Sequence, residues 1–248
     1  MRYLVLSDIH SNLEALEAVL KASAAQKCDG VIVLGDLVGY GADPNAVVDR
    51  IRSLDPVAVV RGNHDKVASG LDTADDFNPM ARAAASWTQA ALSNARIEYL
   101  RDLPAGPQLV NNFLEICHGS PVDEDLYVVA DVDAIRSINA TRRQLCLFGH
   151  THVALTASVD QRQRLEILTP QGNPEFETML RPGVKYLVNP GSVGQPRDGD
   201  SRAAYAIADV DEACITLYRV AYPIEVAQKK ILEAGLPPML AYRLGMGR

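Results

Sequence analysis

Five short apolar runs in this chain each end in a side chain able to bind a metal ion. Leu4-Val5-Leu6-Ser7 leads into Asp8-Ile9-His10, and Val31-Ile32-Val33-Leu34 into Gly35-Asp36. Val57-Ala58-Val59-Val60 is followed by Arg61 and then Gly62-Asn63-His64-Asp65. Leu114-Glu115-Ile116-Cys117 leads into His118, and Leu145-Cys146-Leu147-Phe148 into Gly149-His150-Thr151-His152. Runs this short and this apolar read as buried strands. Ligands of open α/β sheets bind outside the carboxyl ends of the strands. If the five strands share an edge, Asp8, His10, Asp36, Asn63, His118, His150 and His152 converge on one place. The glycines at 35, 62 and 149 let backbone and ligand approach closely. Taken singly, Asp36 or Asn63 after a glycine reads as a turn or cap residue, and His118 as a structural histidine. All five histidines of the chain lie in these segments, which coincidence explains poorly.

The order of elements agrees with such a sheet. Residues 4–7, 31–34 and 57–60 alternate with helical patterns over 12–26 and 44–53, a β-α-β-α-β order that implies parallel strands. A helical stretch follows over about 66–104, clearest at 79–93 and placed by connectivity to cap the site. Strands resume at 113–117 and 145–148. Strand-like runs at 154–158, 165–168, 184–188, 203–208 and 215–220 follow one another without long helices, which predicts a second, partly antiparallel sheet. A closing helix over 223–234 precedes a tail that Pro237-Pro238 makes irregular, so helix and tail occupy about 223–248. No repeat or composition shift marks a boundary, and residues 1–248 read as one domain.

Composition narrows the function classes. The chain has 248 residues, and 48% hydrophobic content allows a sizeable core. No apolar run approaches the roughly 20 residues of a membrane span, and Asp8 interrupts the N-terminus before a signal-peptide core could form. Cys28, Cys117, Cys146 and Cys214 are scattered, as expected of reduced thiols in a cytoplasmic protein. The net charge of −7 argues against tight binding of duplex nucleic acid. A small anionic substrate remains compatible with it, because bound cations would dominate the local field.

Oxygen and imidazole ligands without thiolate suit divalent Mn, Fe, Zn, Ni or Co. Seven ligands exceed one tetrahedral site and suit two open ones, with a carboxylate such as Asp36 able to bridge. Two divalent ions, two carboxylates and one hydroxide leave a net charge of about +1, attractive to phosphate, and the neutral Asn63 preserves that excess.

In this order the segments resemble the calcineurin-like metallophosphoesterase family, whose pattern is D-x-H, G-D, G-N-H-[DE], a single H, and G-H-x-H. Asn189-Pro190-Gly191-Ser192 also resembles a segment of the small bacterial and archaeal phosphodiesterase-like branch. The resemblance implies a four-layer αββα sandwich of two mixed sheets flanked by helices. It implies that Asp8, His10 and His152 hold one metal, that Asn63, His118 and His150 hold a second, and that Asp36 bridges. It further implies that His64, oriented by Asp65, hydrogen-bonds the substrate phosphate and protonates the leaving oxygen, while a metal-bridging hydroxide attacks phosphorus. The expected substrate is a small phosphate mono- or diester, with nucleotides and dinucleoside polyphosphates as examples. Asn189, Ser192 and Arg197 are candidate substrate contacts, Arg197 to a second phosphate, and Tyr40 is a candidate stacking partner for a base or aromatic group.

Three other readings share parts of this pattern. A nuclease would use the same chemistry, but the acidic balance and the lack of a basic stripe count against it. A non-catalytic scaffold on the same fold, as in a retromer subunit, would show degenerate ligand positions, and none is degenerate here. A structural zinc or metal-storage site would be closed and thiol-rich.

Overall fold

The computed structural model describes all 248 residues. Its strands are β1 (Arg2–Leu6), β2 (Gly30–Val33), β3 (Ala58–Val59), β4 (Gln108–Leu109), β5 (Leu114–Ile116), β6 (Leu145–Leu147), β7 (Leu155–Val159), β8 (Leu165–Leu168), β9 (Glu175–Met179), β10 (Lys185–Asn189), β11 (Ala203–Asp209) and β12 (Cys214–Val220). They form two mixed sheets of six, ordered β3-β2-β1-β11-β12-β9 and β4-β5-β6-β10-β7-β8. The helices are α1 (Leu13–Ser23), α2 (Pro44–Ser53), α3 (Asn63–Ser69), α4 (Pro79–Ala91), α5 (Asn94–Asp102), α6 (Asp131–Ala140), α7 (Ile224–Glu233) and α8 (Pro238–Met246). None is long and apolar enough to cross a membrane.

Side-chain alternation along the strands builds the layers. On β1, Leu4 and Leu6 join a core with Leu16 and Val19 of α1 and Val47 and Ile51 of α2. Tyr3 and Val5 point the other way, into a core with Ile32, Leu114, Leu145 and Val188 between the two sheets. On β6 and just beyond it, Cys146 and Phe148 pack against Ile138 of α6 on the far side of the second sheet. Three apolar layers therefore separate helices, sheet, sheet and helices, which is the expected αββα sandwich. Burial on both faces also explains why the strand runs are continuously apolar.

The five ligand-bearing strands do not share one sheet. β1, β2 and β3 lie parallel in the first sheet, while β5 and β6 lie parallel in the second. The loops after both sets meet where the two sheets end together, so the site spans the sandwich.

Four elements differ from the sequence expectations, the two-residue strand β4 among them. The tail after Pro237 is the helix α8, because a proline at the first helical position, here Pro238, gives up no hydrogen bond. The strand β9 reads weakly because it is an exposed edge, paired only with β12. The helix α6, opened by Asp131 and Asp133, also lies outside the expected elements. The helical stretch after β3 divides into α3, α4 and α5. It is tied together by Arg101, whose guanidinium donates to Ser69 O at 2.8 Å, and tied to α2 by Asn45, which donates to Ala91 O at 2.7 Å.

Candidate metal centre

The strand-end loops hold their polar residues in an unusual backbone state. Asp8, His10, Asp36, His150 and His152 have φ between 50° and 66°, the left-handed region that side chains disfavour by about 1–2 kcal/mol per residue. Interlocking backbone bonds between loops offset this cost. Asp8 N donates to Gly35 O at 3.1 Å, His10 N to Asp36 O at 3.0 Å, and Gly149 N to His118 O at 2.8 Å. Gly62 is required on the opposite wall, where an added Cβ would collide with the Asp36 carboxylate.

The histidine rings are fixed by backbone carbonyls. His10 Nδ1–H donates to Val38 O at 3.0 Å, His118 Nδ1–H to Leu34 O at 2.7 Å, and His152 Nδ1–H to Gln195 O at 2.6 Å. His150 uses the other nitrogen, with Nε2–H donating to Asp125 O at 3.0 Å. In the neutral ring, each bond sets the tautomer and leaves the second nitrogen as a lone pair. The lone pairs of His10 and His152 face each other with Nε2 atoms 3.1 Å apart. His10 Nε2 and His118 Nε2 each lie 3.5 Å from Asp36 Oδ2, and His152 Nε2 lies 3.3 Å from Asp8 Oδ1. Asn63 Oδ1 is 3.3 Å from His118 Nε2.

So many facing lone pairs call for cations between them. The ligand atoms form two groups, Asp8-His10-Asp36-His152 and Asp36-His118-His150, each with its atoms within 4.8 Å of one another. Asp36 belongs to both. Six of these side chains are at most 3% exposed, so water cannot satisfy them. These donors fit divalent cations.

Titration follows from this crowding. Burial works against an imidazolium at His118, but the charge of Asp36 and the bond to it outweigh burial and push His118 up to about 10. Burial, with the charge of His118, pushes His150 down to about 3. Burial likewise holds His10 well below its ordinary value. Burial would raise Asp36, yet the charges of His118 and His64 carry it below the carboxylate range. Without metal, the charge of Asp36 favours a proton on His118, where a cation would otherwise serve.

A family model described as the calcineurin-like phosphoesterase superfamily domain matches residues 1–213. The chain belongs to this superfamily. A metallophosphoesterase structure from Sphaerobacter thermophilus is 39% identical, covers 100% of both chains and superposes with a TM-score of 0.89. An uncharacterized protein of Methanocaldococcus jannaschii is 36% identical over 98% of this chain and 97% of its own length. The phosphodiesterase YfcE of Escherichia coli is 26% identical over 85% of this chain and 89% of its own. With the metal-competent cluster, these relationships make the chain a metal-dependent phosphoester hydrolase.

Within this calcineurin-like phosphoesterase, all seven candidate ligands come together. Asp65, Asn189, Ser192 and Tyr40 are placed differently from expectation. Asp65 does not touch the His64 ring; its carboxylate accepts from Val38 N at 3.2 Å and Gly62 N at 3.0 Å, bracing two loops. Burial and the charge of Asp36 raise it to about 7. Asn189 and Ser192 are buried and already partnered. Asn189 Nδ2 donates to Gly149 O at 2.7 Å, and Ser192 Oγ donates to Asp8 O at 2.7 Å while accepting from Gln195 N. Both hold ligand loops, with no polar atom turned to a substrate. Tyr40 is 7% exposed and wedged between His10 and His64, at ring distances of 4.7 and 4.4 Å, so it lacks a free face for stacking.

Other contributors were not apparent from the sequence. Tyr127 stacks on His150 at 3.7 Å while remaining 46% exposed, and Phe77 lies 4.6 Å from the His64 ring. Both line a cavity of about 240 Å³ that reaches Asn63 and His150, and Asp72, Asp76 and Asp125 form its acidic wall. Neither aromatic residue stands at a strand end. The carbonyls that lock the imidazoles carry no sequence signal at all.

Proposed function

We propose that the chain hydrolyses a small phosphate mono- or diester at two divalent cations, one held by Asp8, His10 and His152 and the other by Asn63, His118 and His150, with Asp36 shared. The observation that carries this reading is Asp36, a carboxylate common to two groups of tautomer-locked imidazoles. Such ions supply charge neutralisation at the phosphoryl oxygens and make bound water acidic near neutral pH. Mn, Fe, Zn, Ni and Co all fit these donors.

The chain's own groups account for the rest. His64 is 4% exposed, and its backbone N–H donates to Asp36 Oδ1 at 2.9 Å. No carbonyl fixes its tautomer, because Nδ1 lies unpartnered against Gly39. The four ligand histidines are locked, whereas His64 is free to exchange a proton, which suits a group that bonds the phosphate and protonates the leaving oxygen. Burial pushes its ring down to about 4, and an anionic phosphate alongside would raise it again. Asp65 serves as a positioning residue by holding the loops that carry Asp36 and Asn63. The acidic wall of Asp72, Asp76 and Asp125 favours a small substrate over a nucleic-acid polyanion.

The test is hydrolysis of bis-p-nitrophenyl phosphate and p-nitrophenyl phosphate with each metal or with chelator, beside Asp36→Asn. Metal-dependent turnover that disappears in the variant is expected. Turnover unaffected by chelator would overturn the proposal.

A further inference from the structure

The cavity beside the metal centre carries the charge that a phosphate avoids. Its volume of about 240 Å³ is lined in part by Asn63 and His150, so it opens directly on two of the candidate ligands. Two aromatic rings of its lining touch the centre as well. Tyr127 stacks on His150 at 3.7 Å, and Phe77 lies 4.6 Å from the ring of His64. Asp72, Asp76 and Asp125 supply its charged lining, and no Lys or Arg lines it.

This wall is fixed to the metal-ligand loops. Asp125 O accepts from His150 Nε2–H at 3.0 Å, so the segment carrying one carboxylate also orients a ligand. The Asp125 carboxylate accepts from Nζ of Lys66, which is 6% exposed and stands three residues after Asn63 on α3. Lys66 is shared with Asp72 at 3.6 Å and with Glu124 at 3.3 Å, and no salt bridge reaches Asp76. One ammonium therefore serves several carboxylates, and the cavity stays negative. Arg197 forms no part of its lining. Its backbone N–H donates to His152 O at 3.2 Å, its guanidinium lies over Tyr40 at 5.8 Å from the ring centroid, and Nη2 donates to Gln195 Oε1 at 3.1 Å. Carboxylates next to a bound phosphate weaken its binding unless a cation lies among them. Aromatic faces beside carboxylates attract an ammonium group through the ring quadrupole as well as through charge.

We propose that this cavity receives a positively charged organic group, so that the preferred substrate is a phosphate ester of an amino alcohol. Phosphorus lies at the cations, and the ammonium group enters the cavity against Tyr127, Phe77 and the three carboxylates. This rests on the phosphoesterase reading above and adds to it the class of alcohol.

The experiment is calorimetric titration of the manganese-loaded protein with aminoethylphosphonate and propylphosphonate. Neither has an ester bond to break, and an ammonium group in the first stands where the second has a methyl group. Aminoethylphosphonate should bind at least about tenfold tighter. Asp72→Asn combined with Asp76→Asn should cut that advantage below about threefold. Propylphosphonate should bind this variant at least as tightly as it binds the wild type, which shows that the centre is intact. Tyr127→Leu, which keeps an apolar side chain without a π face, should reduce the advantage by about threefold. Equal binding of the two ligands by the wild type, or an advantage that survives both variants, overturns the cationic pocket alone. Binding of neither ligand overturns the pocket alone if the same preparation hydrolyses bis-p-nitrophenyl phosphate, and the phosphoesterase reading with it if it does not.

Discussion

The centre and the rim of this site are built on opposite principles. At the centre, four imidazoles are each fixed by a carbonyl, and ligand side chains sit at backbone angles that cost free energy. At the rim, Arg197 makes one side-chain hydrogen bond, and Tyr127 is half-exposed. Holding cations demands ligands placed before the ion arrives. Recognising the organic part of an ester tolerates side chains that adjust. On the proposed reading, chemistry belongs to the rigid region and specificity to the looser one, and substitutions in the two regions should fail in different ways.

Asp36→Asn should break the centre outright. Loss of the shared carboxylate is expected to lower kcat by about a thousandfold or more and to reduce bound metal, read by steady-state kinetics and elemental analysis. Next in size is His64→Ala, expected to lower kcat by about 10²–10⁴-fold with metal content retained. A variant that also lost its metals would make His64 part of the cation scaffold. Acidity offers a milder perturbation of the same region. In metal-free protein His118 holds its proton up to about pH 10, so below that pH an incoming ion must displace it. Raising the pH weakens this competitor, and apparent metal affinity should climb about tenfold per pH unit for one displaced proton. Calorimetry in buffers of different ionisation enthalpy should detect that proton's release; affinity independent of pH would contradict the assignment. Tyr127→Ala, a change at the rim, should have the smallest effect. Loss of an aromatic contact worth about 0.5–1.5 kcal/mol predicts a KM raised about two- to tenfold, with metal content unchanged.

The same division decides what could be read from the sequence. Ligand identity is chemical, and Asp8, His10, Asp36, Asn63, His118, His150 and His152 stand at strand ends where periodicity exposes them. The layer order also follows from strand patterns buried on both faces. That β3 and β5 belong to different sheets was not legible, because local pattern says nothing about which distant strand is paired. Asp65 looked like a partner for His64 by adjacency, yet the two side chains diverge from one turn of α3. Asn189 and Ser192 carry the right atoms, and only the fold reveals that those atoms are already bonded within the loops. The helix α8 was hidden by Pro237-Pro238.

Electron paramagnetic resonance during manganese titration of the metal-free protein addresses the shared carboxylate most directly. The account predicts two ions bound per chain and a spin-coupled signal that grows with the second, as expected for neighbouring ions bridged by Asp36. Saturation at one ion, or two ions with no coupling, would contradict it.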